Sequence, residues 1–375
     1  MGALLSCTQD QTEDILITAA SNDTIYAHLD NEDRAQLTDS SLQIAWNKGD
    51  TIFVVGPGKL CGYIFNGNSG DRSGSFTAVP ELNIYENSAD DKAKIDAVDW
   101  EGLYDNKYYA ICPYRGYYKS TSNKKIYFKS KDGTSDLNSA IQNYNPEGSD
   151  PTINRVFGES VDGKNFVFKN KFGYLRVSLT GEKVVKKLVL INASNSLEEI
   201  IAGSYTFYPD DALDTFRWSA WSCSITMNCG EGVQLSATPT HFYFAVAPEV
   251  MSQGMILQVD FTDGTSFIQR SPKEIIIERS TLKPMAVLHT AEAKYQTLNV
   301  TYEGESFTLP EFVGSDYLTG YINWGDGSND ILNLVTSHEY NDDLSSHKTV
   351  INVRNAEKVK FTGCYGITEL DFSNF

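Results

Sequence analysis

The sequence predicts an all-β protein built from tandem β-sandwich units. Three observations carry that expectation. Tyr and Phe are abundant (21 and 19) while Met is rare (5), and aromatic and β-branched side chains fill a pleated, half-buried surface well. Short apolar runs alternate with period two: Leu175, Val177 and Leu179 fall on one face of a strand, Arg176, Ser178 and Thr180 on the other. Turn signals such as Asp162 with Gly163 and Asp263 with Gly264 punctuate these runs, with no β-α-β rhythm between them. The 375 residues suffice for two or three cores of ordinary size.

Taken in order, residues 8–14 are polar and acidic, a tether that follows the first residues. ILITAA (15–20) and TIYAHLD (24–30) read as strands. After a polar stretch come LQIAW and KGDTIFVVG, where the run 51–55 lies between Gly-Asp and Gly-Pro-Gly and reads as a strand between turns. GYIF (62–65) and SFTAV (75–79) continue the pattern. Two short helices are expected, one capped by Ser88 through DDKAKIDAV and one capped by Ser135 over DLNSAIQNY, with Leu137, Ile141 and Tyr144 on one face. From NFVF (165–168) onward strands return: YLRVSLTG, KKLVLINA, GSYTFYP, HFYFAVAP, a hairpin over 256–269, EIIIE and MAVLH. The segment 290–298 is the seam into a last unit, where seven short β-like pieces with turn residues between them indicate a small β-sandwich. The expected units are 1–14 (signal remnant and tether), 15–165, 166–292 and 293–375.

Lys and Arg total 31 against 49 Asp and Glu, a net charge of −18 with pI near 4.7. Phosphate contacts need a basic surplus, so nucleic acid is not an expected partner. Six cysteines are scattered with no C-x-x-C pair, which excludes zinc ribbons and thioredoxin-like motifs. Cys223 and Cys229 either pair across a turn or remain buried thiols. No run of 18 apolar residues occurs. The opening MGALLSCTQDQTED has two readings, a myristoylation pattern and the end of a bacterial lipoprotein signal with Cys7 as the lipid-bearing residue; the rest of the chain favours the second.

GPGKLCG (56–62) resembles a nucleotide loop but lacks the following helix, so it reads as a hairpin turn and no cofactor is expected. There is no G-x-S-x-G elbow, H-E-x-x-H or EF-hand loop, and the five histidines are scattered, so no catalytic residue is assigned. INWGDGS (322–328) has two readings. As a calcium loop it would use Asp326, Ser328, Asn329 and Asp330. As a hairpin, Gly325 and Gly327 supply positive φ and Trp324 fills a core, with Tyr321 and Asn323 on the opposite face from Ile322 and Trp324. The hairpin is preferred, and no metal is assigned.

Trp324, Gly325, Asp326, Gly327 and Ser328, followed by His338 and Tyr340 and then TVINV (349–353), resemble the PKD domain, a small immunoglobulin-like β-sandwich of cell-surface proteins in which this signature is a folding feature. The likeness covers about 297–355; KVKFTGCYGITELDFSNF lies beyond it, either continuing the sheet or beginning something further. The first 290 residues resemble the fimbrillin family of the Bacteroides group in four stretches: AWNKGDTIFVV (45–55), YYAICPYRG (108–116), FKNKFGYLRVSLTG (168–181), with Lys171 and Gly173 departing from the commonest form, and YFAVAPEVMSQGMILQVDFTDG (243–264). That resemblance implies two Greek-key or transthyretin-like sandwiches, lipoprotein export to the outer membrane and assembly on the cell surface. It also implies cleavage at an arginine after the first strands, here Arg34, and filling of the opened groove by a strand of the next subunit. ILITAA would be the removable strand.

The expected function is therefore a non-enzymatic surface lipoprotein acting in adhesion or fimbria assembly. Its partners would be other fimbrial subunits or a surface or host ligand, with contact to the membrane through the lipid alone. Because a PKD-like unit follows the second sandwich, an accessory, anchor or tip role fits better than a stalk. The alternative is a surface glycan-binding lipoprotein of a polysaccharide-utilisation system, with Tyr114, Tyr117 and Tyr118 stacking on sugar rings. An envelope hydrolase with a PKD accessory domain is the third reading.

Overall fold

Strands form wherever the period-two runs can bury one face, and the computed structural model is built from them. It describes residues 4–6, 23–30, 43–57, 59–79, 107–112, 137–150, 152–153, 155–194, 198–206, 208, 215–292, 294–341 and 344–375. Among these the regular elements are strands, apart from one 3-10 turn at Thr290–Glu292. No helix among the described residues is long and apolar enough to cross a membrane. The segment expected to be helical after Ser88 lies outside the described residues, as do ILITAA, Cys7, Arg34 and Tyr114, Tyr117 and Tyr118.

The first unit contains β1 (Leu4–Ser6), β2 (Thr24–Leu29), β3 (Gln43–Ala45), β4 (Thr51–Gly56), β5 (Lys59–Phe65), β6 (Ser73–Val79) and β7 (Tyr108–Cys112), then β8 (Leu137–Asn138), β9 (Ile141–Asn143), β10 (Val156–Ser160) and β11 (Asn165–Asn170). Seven strands close into a barrel in the order β10-β11-β2-β6-β5-β4-β7, so the two layers expected of a sandwich are continuous here. GPGKLCG is the β4–β5 hairpin, with Gly56 opposite Lys59. Along β2 burial alternates, with Ile25, Ala27 and Leu29 turned inward. Trp46 sits at the centre of the core, edge-on to Phe76 and Phe168 at 5.1 Å from each. Because β11 pairs with β10 and β2, the first sheet runs to Asn170, past the 165/166 division read from the sequence.

The second unit contains β12 (Gly173–Thr180), β13 (Val184–Asn192), β14 (Ala202–Thr206), β15 (Arg217–Ser222), β16 (Ser224–Gln234), β17 (Thr240–Val246), β18 (Glu249–Met251), β19 (Met255–Phe261), β20 (Ser266–Ser271), β21 (Ile275–Ile277) and β22 (Leu282–His289). Its main sheets run β17-β12-β22 and β20-β19-β13-β16-β9. Leu175, Val177 and Leu179 enter its core, while Tyr174 packs into the core of the barrel, so β12 is covered on both sides. The helix expected over DLNSAIQNY is not formed. Those residues give β8 and β9, which pair with β14 and β16. The reason is tertiary: the Gln142 amide, fully buried, donates to Ala245 O at 2.7 Å and accepts from Ala245 N at 3.0 Å. A helix would lose both bonds and strand a buried amide.

The third unit contains β23 (Gln296–Tyr302), β24 (Ser306–Thr308), β25 (Glu311–Asn323), β26 (Asn329–Ile331), β27 (Ser337–Glu339), β28 (His347–Lys360) and β29 (Ile367–Asn374). A five-stranded sheet, β26-β25-β28-β23-β29, faces the short β24-β27 pair across a core of Leu298, Val300, Phe307, Ile322, Trp324 and Ile351. KTVINVR and KVKFTG, read as two pieces, are one strand here. Asn355 takes a positive φ of 61° and the register against β25 shifts beside it, so a bulge carries the ladder through. The terminal segment continues the sheet: β29 adds to its edge beside β23.

Candidate functional site

The signature residues of the third unit converge on one knot. Trp324, at the end of β25, is fully buried, and its Nε1 donates to Asp330 Oδ2 at 2.8 Å. The hairpin into β26 places Asn323 opposite Asn329. Gly325 and Gly327 lie at φ +88° and +92°, a region that glycine enters without steric cost. Gly325 has a second reason: a Cβ there would lie 2.4 Å from Lys348 O. The imidazole of His338 stacks on Trp324 at 4.5 Å and 11°, and Tyr340 stacks on His347 at 3.6 Å and 7°. The Tyr340 hydroxyl donates to Trp324 O at 3.2 Å and meets Thr349 Oγ1 at 2.7 Å.

Asp326 ties the turn to the neighbouring strand. Its Oδ1 accepts from Ser328 N at 2.9 Å and Ser328 Oγ at 2.6 Å. Its Oδ2 meets His338 Nε2 at 2.8 Å, and facing a carboxylate makes that nitrogen the donor. Burial alone would raise the Asp326 carboxyl, but the Ser328 and His338 hydrogen bonds outweigh it and hold the group at about 2. Both oxygens are thus engaged.

A second Trp and Asp turn sits in the barrel, within the stretch AWNKGDTIFVV. Trp46 is fully buried, and Asp50 is 2% exposed. Gly49 between them has φ +87°. Asn47 N donates to Asp50 Oδ2 at 2.8 Å. Burial pushes the Asp50 carboxyl up to about 8, against the lowering effect of that single bond, so it is protonated at neutral pH. Trp46 Nε1 is buried without an acceptor among the described residues.

Of the residues singled out in the sequence, Trp324, Gly325, Asp326, Gly327, His338 and Tyr340 are together. Cys223 and Cys229 are separate buried thiols, and burial raises both above the usual range, Cys229 to about 12. Sequence reasoning missed Asp330 as the acceptor for Trp324, and His347 and Thr349 as partners of Tyr340. The alternation of TVINV, which sends Thr349 and Ile351 inward together, was the available signal. It also gave Lys171 no role. That lysine is fully buried, with its Nζ donating to Thr215 O at 2.6 Å and lying 4.1 Å from the Phe216 ring centre, a cation–π contact inside the structure.

Fold and knot together define an all-β chain of successive sheet-built cores whose most recognisable motif is a structural turn. No family model matches the chain, and neither does any curated protein. Solved structures do. A candidate cell-adhesion protein from Bacteroides ovatus aligns at 14% identity over 72% of this chain and 93% of its own, with a TM-score of 0.38. Another, from Bacteroides fragilis, aligns at 9% identity over 92% and 98%, with a TM-score of 0.32. The tip fimbrial protein Mfa3 from Porphyromonas gingivalis, with a C-terminal truncation, aligns at 9% identity over 66% and 81%, with a TM-score of 0.24.

Proposed function

We propose that this chain is a non-enzymatic, fimbrillin-like lipoprotein of the cell surface, acting in adhesion or fimbria assembly as an accessory, anchor or tip subunit. One observation carries the reading. The four stretches that resemble fimbrillins occupy neighbouring, core-building strands. The first two meet where β4 pairs with β7, Phe53 opposite Ile111. The last two meet where β12 pairs with β17, Leu175 opposite Phe244. A shared set of motifs that builds two cores is what a shared fold requires. The third unit is read as PKD-like on its Trp324, Asp326, His338 and Tyr340 knot.

In this reading Cys7 carries the lipid and Arg34 is the processing site. A cut at Arg34 would release β2 with everything before it. β2 lies between β11 and β6 in the closed ring, and Ile25, Ala27 and Leu29 fill the core beneath it. Its loss would open an apolar groove flanked by two unpaired strand edges, the arrangement that β-augmentation fills. The test is lipid labelling and limited trypsin treatment of the precursor. Labelling is expected to vanish in Cys7→Ala, and a clip at Arg34 is expected to leave a folded remainder that oligomerises. Labelling that persists in Cys7→Ala removes the anchor, and a clipped chain that stays monomeric removes strand exchange.

A further inference from the structure

The outward face of the third sheet differs from its core face. Ile322, Trp324 and Ile351 turn inward, and the residues between them form mixed rows of amides and apolar side chains on the other side. The register aligns Asn329, Asn323 and Val350 across β26, β25 and β28, and beside them Ile331, Tyr321 and Asn352. Opposite this face, β13, β19 and β20 of the second unit align Lys187, Asp260 and Ser266. The two faces meet where Ile256, Ile268 and Ile331 are buried together against Tyr321. Arg354 fixes the junction: its Nη1 donates to Ile268 O at 3.1 Å, and its guanidinium lies over the rings of Phe267 and Tyr295 at 5.4 and 5.8 Å. Between the faces remains a cleft of about 740 Å³, within the size range of ligand pockets, which favour such junctions between units.

The polar groups lining it are pre-oriented. Asp260 accepts from Gln258 Nε2 at 2.8 Å and Ser266 Oγ at 2.6 Å and pairs with Lys187 at 3.2 Å. Asn352 Oδ1 accepts from Thr297 Oγ1 at 2.9 Å, and Asn323 Oδ1 accepts from Gly325 N at 2.9 Å. Each of these two amides therefore has its oxygen tied and its NH₂ left as a donor. Asn329 and Lys186 have side chains with no hydrogen bond to the protein among the described residues.

We propose that this cleft binds a neutral oligosaccharide. Amides and a carboxylate held on rigid strands offer both donors and acceptors to sugar hydroxyls. Tyr321 and Leu334 supply apolar surface for the C–H faces of the rings. Lys186 and Lys187 are balanced by Asp260 and Asp330, so the cleft has no net charge to hold a phosphate or an acidic chain. β25 and β28 are paired on both sides, so a peptide strand could add here only along the short edge strands β26 and β20. The inference deepens the surface-adhesion reading and rests on it for where the ligand is met.

The test applies the full chain to an array of neutral and anionic oligosaccharides, then measures affinity for the best ligand by calorimetry. Retention of a neutral oligosaccharide is expected, with Asn329→Ala and Asn352→Ala each weakening it by about tenfold, the loss of roughly one hydrogen bond, and with the melting temperature unchanged in Asn329→Ala, whose side chain makes no bond to the protein among the described residues. A silent array, retention of anionic glycans alone, or affinity unchanged in both variants overturns the proposal. Antibody labelling of intact cells carrying the same chains separates the two readings. A silent array with a surface-exposed chain sinks the cleft alone. Neutral-glycan binding by a chain absent from the surface supports the cleft and sinks the surface reading.

Discussion

The barrel and the third unit each turn the chain beside a buried tryptophan with a glycine and an aspartate, and they do so with opposite electrostatics. Trp46 and Trp324 are both fully buried, and Gly49 and Gly325 have nearly the same φ, +87° and +88°. Trp324 Nε1 has Asp330 as acceptor, whereas Trp46 Nε1 has none among the described residues. Asp326 is held at about 2 because hydrogen bonds outweigh its burial; Asp50 is raised to about 8 because burial outweighs its one bond. The same residue types supply the same bend. The balance between depth of burial and the number of donors around the carboxylate sets which protonation state the fold prefers.

The largest expected effects come from removing either ring. Trp324→Ala and Trp46→Ala should each cost about 3–5 kcal/mol through the cavity left behind. Hydrogen exchange should place the loss in β23, β25 and β28 for the first and in β4, β5 and β7 for the second. Loss of protection in both units from either change would break the comparison, because it would mean that the two turns belong to one cooperative core.

The Asp50 contrast comes next. Its folded value, about 8, lies above the ordinary 3.8, so between these values the native state keeps a proton that the unfolded chain has released. Barrel stability should therefore fall as pH rises from about 4 to about 8, by at least about 2 kcal/mol. Asp50→Asn, which keeps an acceptor for Asn47, should flatten that slope in urea titrations. A slope that persists in Asp50→Asn assigns it to another group. Smaller again is the difference between Trp324→Phe and Trp46→Phe. Both lose ring volume, but the first also leaves Asp330 without its donor, so it should cost about 1 kcal/mol more. Equal costs would mean that the bond to Asp330 contributes nothing net.

The strand content was legible because period-two burial is written directly into runs such as TIYAHL and YLRVSLT. The turn at 324–328 was legible because two glycines flanking an aspartate have few other uses. What stayed hidden depends on partners far along the chain. DLNSAIQNY carries a helical spacing, yet Gln142 bonds to Ala245 across 103 positions, and no local pattern announces that. Tyr321 and Asn323 could be placed on the outward face of their strand, but the cleft they line exists only because β20 of another unit packs beside β25. Asp330 looked like a calcium ligand in a row of oxygen-bearing residues; its role as acceptor for Trp324 needs the hairpin to bring the two together.

The smallest effect sharpens the comparison most, because it tests the sign. Asp326 is lowered from 3.8 to about 2, so its contribution is complete above about pH 4, where the carboxylate is ionised in both states. It is lost as pH falls from there towards 2, as the native state takes up its proton last. The third unit should therefore weaken on acidification, while the barrel weakens on the way up from pH 4. Asp326→Asn keeps an acceptor for Ser328 and loses the charge facing His338, at a cost of about 0.5–1.5 kcal/mol at neutral pH. It should remove the acid limb of the third unit's stability curve and leave the barrel's slope in place. Exchange-monitored unfolding at pH 2, 4 and 8 resolves the two. If the third unit of Asp326→Asn still weakens between pH 4 and 2, the Ser328 and His338 bonds are not what makes this turn prefer its charged form, and the contrast with Asp50 reduces to depth of burial alone.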